Sequence, residues 1–546
     1  MEEECACLCG PGPSRGCQCL QQRLGPAAMA AADSKPAPAP EGKHVEADMA
    51  ARSSVGSGGI RSPMPPRPTP RCSLQHLPPE LLVEIFASLP GTDLPSLAQA
   101  CTRFRSILHT DSIWRRRCQE EYGAVENLRS PGTMAVSCRE LYANLLHPCR
   151  HILGLWQPDN WPYGGLLYVV VEGPCIVGRT YLPLHDPRVD DSLQFKPAFR
   201  IRLAEGKSPT VQCTYGCRGP HSCHVQIRKD GLSTQCNLTH HHRMPGGSRE
   251  DFRAWLREEW GQTLEHIFQE DRLRFVLMKL IDHQYDDCRN YRRIYLSPSH
   301  AEDLIRPGLF KGTHHAHNSL EVVMLSFHGK HARATKITGD HHVPAGQQMI
   351  EIHLSRRIQL PDDIFNKLSK YSRLVQEVHE QVIQEQQQQQ REDSTEDGEG
   401  HGRLSPAQPS VGESGAAALE EQPVQFVLPA GVSSRDQNYP RACRMCFYGV
   451  GIAARSGSAY PQRIPGAFLL FDEDHFGFMW QEPNCLSLYS RVQVTFQNAE
   501  APSPQAFQDM LDNIQSPPPD GPFLAQGQQR GEEASEEEQL RALLEV

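Results

Sequence analysis

The 546-residue sequence predicts an α+β protein in which a small helical module precedes an antiparallel β-barrel carrying a metal-pinned loop and inserted helices. Three observations point there. Apolar residues between 74 and 118 recur at helical spacing. From His151 onward, β-branched and aromatic runs of strand length are broken by Gly and Pro. Cysteines and histidines crowd between Cys213 and His242, where few apolar residues are available to hold a loop.

Residues 1–70 are rich in Pro, Ala, Gly and Ser, end in RSPMPPRPTPR, and lack any apolar periodicity able to offset the entropy of ordering, which predicts a disordered arm. Segment 71–118 opens with Leu77 and Pro78, proline standing where an early helix position needs no N–H. Leu81, Leu82, Ile85, Phe86 and Leu89 follow at helical spacing until Pro90, Gly91 and Asp93 stop the run. A second helix is expected over 94–108, through Leu97, Cys101, Phe104 and Leu108, and a third around Ile113 and Trp114. So small a unit buries little surface by itself, and its apolar excess reads as a docking face. Residues 119–150, with Tyr122, Leu128, Leu141, Tyr142, Leu145 and Leu146, predict a helical spacer.

The barrel is expected in two parts, 151–365 and 424–516. Its strand candidates begin with HILGLW, GLLYVVVEG, CIVGRTYLP, FKPAFRIRL, TVQCTYG and CHVQIRK, continue through YRRIYL, GLFKGT, LEVVMLSFHG, RATKITG and QQMIEIHL, and finish with CRMCFYGVGI, GAFLLFDEDHFGFMW and LSLYSRVQVTF. Phe252, Leu256, Trp260 and Leu264 line one face of a helix that can cover a barrel mouth, and helical character is expected to about Ile281. The insertion 366–423 starts as a helix through Leu368, Tyr371, Val375, Val378 and Val382, then frays into a glutamine run and an acidic linker. Residues 517–546 form an acidic tail with a short helix through Leu540, Leu543 and Leu544.

A net charge of −10 argues against general nucleic-acid binding, and no apolar run of 18 residues is present to cross a membrane as a helix. The acidic start MEEECACLCGPG is unlike a secretory signal, so the 19 cysteines are expected to be reduced thiols or metal ligands in cytosol or nucleus. No GxSxG elbow, HExxH, phosphate-binding loop or GxGxxG follows a suitable strand, which leaves no catalytic constellation.

Nine residues form the metal-ligand candidates: Cys213, Cys217, His221, Cys223, His224, Cys236, His240, His241 and His242. Thiolate and imidazole donors suit zinc in a closed structural site, but the spacing is not that of a standard finger and leaves the ligand choice open. Cys443 and Cys446 stand alone in a strand-like run and read as core thiols. Gly154 and Trp156 open the first barrel strand as in lipocalin-like barrels, with the tryptophan expected to close the floor. Lys336, Thr338, Gly339 and Asp340 form a polar cluster at a strand end, read from the residues as a solvated turn with a pocket as the alternative.

The pattern of 74–118 resembles the F-box. In that family the leucine-proline opening, the apolar residues after it and the late tryptophan bind the Skp-type adaptor of a cullin-RING ubiquitin ligase. The resemblance therefore assigns adaptor contact to Leu77, Pro78, Leu81, Leu82, Ile85, Phe86, Leu97 and Trp114. With HILGLWQPDNWPYGGLL, QFKPAFRI, YRRIYLSP, GLFKGT, ATKITGD, PAGQQ, YPRACRMCFYG and LFDEDHFGFMW added, the chain from about Ser73 to Ser516 is similar to the F-box only protein 31 family. That similarity implies a non-catalytic substrate receptor that brings D-type cyclins and other cell-cycle regulators to a Skp/cullin/F-box ligase with its RING subunit. It also implies a structural zinc on Cys213, His221, Cys236 and His242, and capture of a substrate's C-terminal tail at Lys336 and Asp340. Cytoplasm and nucleus, with the centrosome, are the locations it suggests. The arm before Ser73, the histidines of 314–317 and the tail after Pro517 depart from the pattern, while Cys217, Cys223 and His240 supply extra potential ligands. The rival expectation is a lipocalin-like small-ligand carrier with a vestigial F-box.

Overall fold

The computed structural model describes residues 6–8, 73–123, 136–159, 163–182, 188–204, 208–215, 219–228, 230–238, 242, 249–260, 263–269, 288–313, 320–340, 343–359, 368–393, 423–454 and 461–515. Within the expected disordered arm, Ala6–Leu8 form a three-residue strand; the rest of the arm, the histidines of 314–317, the linker 394–422 and the acidic tail lie outside the described residues.

The helical module starts with α1 (Pro79–Ser88), its first residue a proline and Pro78 its N-cap. The single helix expected over 94–108 is two, α2 (Leu94–Ala100) and α3 (Thr102–Ile107), because Cys101 is fully extended and its thiol accepts the Phe104 N–H as an N-cap. Then come α4 (Asp111–Tyr122) and, in the spacer, α5 (Cys138–Leu141), which Ser137 and Glu140 start with a reciprocal capping box. A π-helical turn, Tyr142–Leu146, follows and buries Tyr142, Leu145 and Leu146.

The expected single, interrupted barrel is two closed barrels. The first comprises β1 (Gly154–Pro158), β2 (Leu167–Glu172), β3 (Cys175–Leu182), β4 (Gln194–Leu203), β5 (Pro209–Cys213), β6 (His221–Ile227), β7 (Gly231–Cys236) and β8 (Cys288–Ile294). Neighbours pair antiparallel throughout, and β8 returns to β1 to close the ring. Between β7 and β8 stand α6 (Arg249–Trp260) and α7 (Leu264–Gln269), two helices that bury Trp255, Leu256, Leu264 and Ile267; the helical continuation to Ile281 lies outside the described residues.

The second barrel comprises β9 (Gly308–Thr313), β10 (Leu320–His328), β11 (His331–Lys336), β12 (Gln348–Arg357), β13 (Met445–Ala454), β14 (Pro461–Leu470), β15 (His475–Trp480) and β16 (Cys485–Arg491). It closes where β9 meets β16, Phe310 opposite Arg491. Helix α8 (Leu368–Asp393) belongs to the insertion inside this barrel, and α9 (Pro504–Gln515), which the sequence pattern did not signal, follows it.

Alternation decides which core each side chain enters. Trp156 points into the first barrel with Phe199 and Tyr291, and one continuous apolar cluster joins that interior to Phe86, Trp114 and Leu145 of the helical module. Phe310, Val323, Leu325, Phe476, Phe478 and Trp480 fill the second interior. The opposite faces of the same strands, Leu155 from one barrel and Leu309, Val322 and Met324 from the other, meet each other and Phe507, Met510 and Leu511 of α9 in a third core. Gln157 Nε2 donates to the Ile337 carbonyl (2.9 Å) and the Gly339 N–H to the Tyr163 carbonyl (2.9 Å), tying the barrels together. Trp156 is a core tryptophan, fully buried: its indole N–H donates to the Ile152 carbonyl (2.7 Å), and the Arg293 guanidinium lies 3.9 Å from its ring. Burial pulls the Arg293 pKa down to about 10. Cys443 and Cys446 are buried in the core beneath α8, as expected of core thiols.

Candidate functional site

Three constellations carry potential chemistry, one in each folded part. In the helical module the eight residues assigned to adaptor contact divide by position. Leu81 is 51% exposed, Pro78 is exposed, and Leu77, Ile85 and Leu97 are half-buried; Leu74, which the sequence reading passed over, is 48% exposed. Leu82, Phe86 and Trp114 are buried by their own chain. Helical spacing turns Leu82 and Phe86 inward, Phe86 meets Phe104 edge-on at 5.2 Å, and the Trp114 indole donates to the Leu108 carbonyl (2.7 Å). These three shape the module, and the remaining five form its outer apolar edge.

In the first barrel, period-two alternation brings Cys213 at the end of β5, His221 at the start of β6 and Cys236 at the end of β7 to one rim, with His242 descending from the following loop. All four are buried, and their donor atoms lie within 4.8 Å of one another. The metal-pinned loop of the sequence reading thus supplies three of its four ligands from strands, only His242 being outside one. Cys217, His240 and His241 lie outside the described residues, and His224 turns away to Asn237 (3.3 Å).

The chemistry of this set matches a metal ion. The His221 and His242 Nε2 atoms are 3.0 Å apart, and Cys213 Sγ is 3.5 Å from His242 Nε2, so lone-pair donors converge on one point. The hydrogen bond with Cys236, and then burial, push the Cys213 thiol well up. For Cys236 a hydrogen bond with Cys213 acts downward, but the bond with Cys223 and burial outweigh it and raise the thiol to about 12. Buried thiols of this kind ionise when a cation replaces their protons. Arg289, its guanidinium 3.8 Å from the Tyr215 ring, lines the same cavity and gave no sequence signal beyond its charge.

At the end of β11, Lys336 and Asp340 come together as expected, Nζ to Oδ2 at 2.6 Å, but they are buried rather than solvated. Glu321 on β10 completes the cluster 3.0 Å from Lys336, and the Tyr489 hydroxyl donates to Glu321 (2.8 Å). Burial pulls the Lys336 pKa down, but the adjacent Glu321 and Asp340 carboxylates outweigh it and hold the ammonium above its ordinary value. Asp340 also accepts the Val343 N–H (2.8 Å). The lysine therefore faces two carboxylates of its own chain. Glu321 was missed, although a lone acid in the run LEVVMLSF is the sign of a charge paired inside a fold.

Comparison with known proteins bears on each part. An F-box-like family model matches residues 74–120, and a cyclin D1 binding domain matches residues 291–495, which contain the whole second barrel. F-box only protein 31 of Homo sapiens is 60% identical over 544 residues, covering 94% of this chain and 99% of the human one. The rat protein of that name is 58% identical over 522 residues, and F-box only protein 31-A of Xenopus laevis 51% over 530, each with 94% and 99% covered. Identity of this degree across the helical module and both barrels means that the chain belongs to the F-box only protein 31 family.

Proposed function

We propose that this chain is the substrate-recognition subunit of a Skp/cullin/RING ubiquitin ligase. Leu81 carries the reading: a leucine in the first turn of α1, half exposed beside a packed core, is an apolar surface that a second protein covers. Leu74, Leu77, Pro78, Ile85 and Leu97 extend that edge, and a Skp-type adaptor supplies the missing half of the core. The second barrel, matched by the cyclin D1 binding domain, holds D-type cyclins and other protein substrates, in cytoplasm and nucleus. Holding a target beside a charged conjugating enzyme raises the effective concentration of its lysines, so the chain itself breaks no bond. Purified chain with Leu81→Ala and Ile85→Ala is expected to lose about tenfold or more in adaptor affinity. Undiminished capture of the adaptor by that variant refutes the interface.

The substrate tail is read at Lys336 and Asp340. Two carboxylates around one ammonium favour a hydrogen-bond donor over a second anion, so an amide or hydroxyl at the tail's end suits the cluster better than a free carboxylate. Zinc is the ion for Cys213, His221, Cys236 and His242, where it locks the open rim of the first barrel. One zinc per chain by elemental analysis, and a lowered melting temperature after Cys213→Ser or chelation, are expected; a folded, metal-free chain contradicts this. The carrier reading is weaker, because aromatic side chains pack both interiors.

A further inference from the structure

Among the described residues, Cys223 is the thiol that lines the metal cluster's cavity without belonging to the four-donor set. It lies on β6 directly opposite Cys236 on β7, is buried, and lines the same cavity as Cys213, Cys236 and His242. Directly opposed residues of antiparallel strands have Cα atoms about 4.5–5.5 Å apart, inside the range a disulfide bridges without backbone movement. The Cys213 sulfur also lies within 4.8 Å of the Cys236 sulfur, but it comes from β5, two strands away, where strand spacing sets the backbones about 9–10 Å apart. A bridge between those two would deform the barrel.

We infer that Cys223 is a resolving thiol, and that the Cys223–Cys236 pair is an oxidation site that closes to a disulfide and releases the bound zinc. The inference rests on the zinc reading above. The oxidant is hydrogen peroxide. Cys236 sulfur, as thiolate, attacks one peroxide oxygen; the O–O bond breaks, a sulfenic acid forms and hydroxide leaves to take a proton from solvent. Cys223 sulfur then attacks the Cys236 sulfur, the S–S bond forms, and the Cys223 proton departs with the sulfenic oxygen as water. Two electrons pass from the two sulfurs to the peroxide, which ends as two waters. Cys236 can no longer donate as a thiolate, and the three remaining donors, Cys213, His221 and His242, do not close a tetrahedral site.

The test treats purified full-length chain with hydrogen peroxide, follows zinc with a chromogenic chelator and maps disulfides in unreduced peptides. A peptide pair joining Cys223 to Cys236 is expected to appear in step with the zinc. Cys223→Ala should keep its zinc at purification and release it roughly fivefold more slowly or less completely, since the attacking thiol is gone. A bridge between Cys213 and Cys236, no bridge at all, or release from Cys223→Ala at the unchanged rate overturns the proposal. Absence of zinc from the untreated chain overturns the metal reading alone, because the mapped Cys223–Cys236 bridge still decides the oxidation site.

Discussion

At the scale of single residues, what matters is which side chains the chain itself has already paired. Leu81 and Leu82 are adjacent in sequence and opposite in fate, one half exposed and the other buried, because a helix turns 100° between them. Lys336 shows the same principle for charge. Removing the ammonium leaves Glu321 and Asp340 buried without their cation, and Lys336→Met is expected to cost about 3–5 kcal/mol of stability, measured by urea unfolding. Asp340→Asn keeps the volume and the Lys336–Glu321 pair. It should fold, yet bind substrate C-terminal peptides about tenfold more weakly in a titration, the loss of one charge-assisted hydrogen bond. Equal affinity removes Asp340 from the tail site.

At the scale of elements, α8 shows how an insertion becomes part of the fold. Val375 is buried, with Val378 and Val382 packed against the same cluster at helical spacing, and His379 Nδ1 lies 2.6 Å from the Tyr448 hydroxyl on β13. His353 lies tilted against Tyr448 at 5.3 Å and meets His331 edge-on at 4.8 Å, while Glu351, Glu380, Arg356 and Arg463 bear on these rings. Burial above all holds His379 and His353 below the ordinary imidazole value. A depressed imidazole pKa means that the unfolded chain binds the proton more readily. The stability these rings contribute is therefore present above about pH 6.5 and is lost as pH falls through their lower folded values. The melting temperature is expected to fall between about pH 7.5 and 5.5, less steeply in His379→Gln. A melting temperature that rises on acidification contradicts this account.

At the scale of the molecule, two barrels and the helical module share cores instead of hanging on linkers. The junction needs close backbone approach at Gly164, whose φ is +58° and where an added Cβ would stand 2.4 Å from the Ala345 Cβ and 2.6 Å from the Ile337 carbonyl. Gly164→Ala is therefore expected to destabilise the protein by about 1–3 kcal/mol, read in a denaturant titration. A neutral result means that the barrels are not held through this contact. The helical module is joined to the first barrel by the spacer core, so Leu81 and the second barrel belong to one continuous body.

Strand positions were largely legible because β-branched and aromatic runs between Gly and Pro are local signals; GLSTQC, which became β7, escaped because it holds one large apolar residue. The metal ligands were legible as a crowd but not as a set, since strand alternation had to carry Cys213, His221 and Cys236 to one rim before four could be chosen from nine. By itself the sequence determined the helical module, the strand-rich texture and the chemistry of the Cys/His cluster, all consequences of spacing within a few residues. Only the tertiary structure decided that the strands close as two rings, that Leu82, Phe86 and Trp114 face inward, and that Glu321 joins Lys336. The reason is physical: β10 is apolar on both faces, Val323 and Leu325 toward the barrel and Val322 and Met324 toward its neighbour, so its pattern does not name the strands it pairs with. Ring closure rests on long-range pairing, such as Phe310 with Arg491, which no local period records.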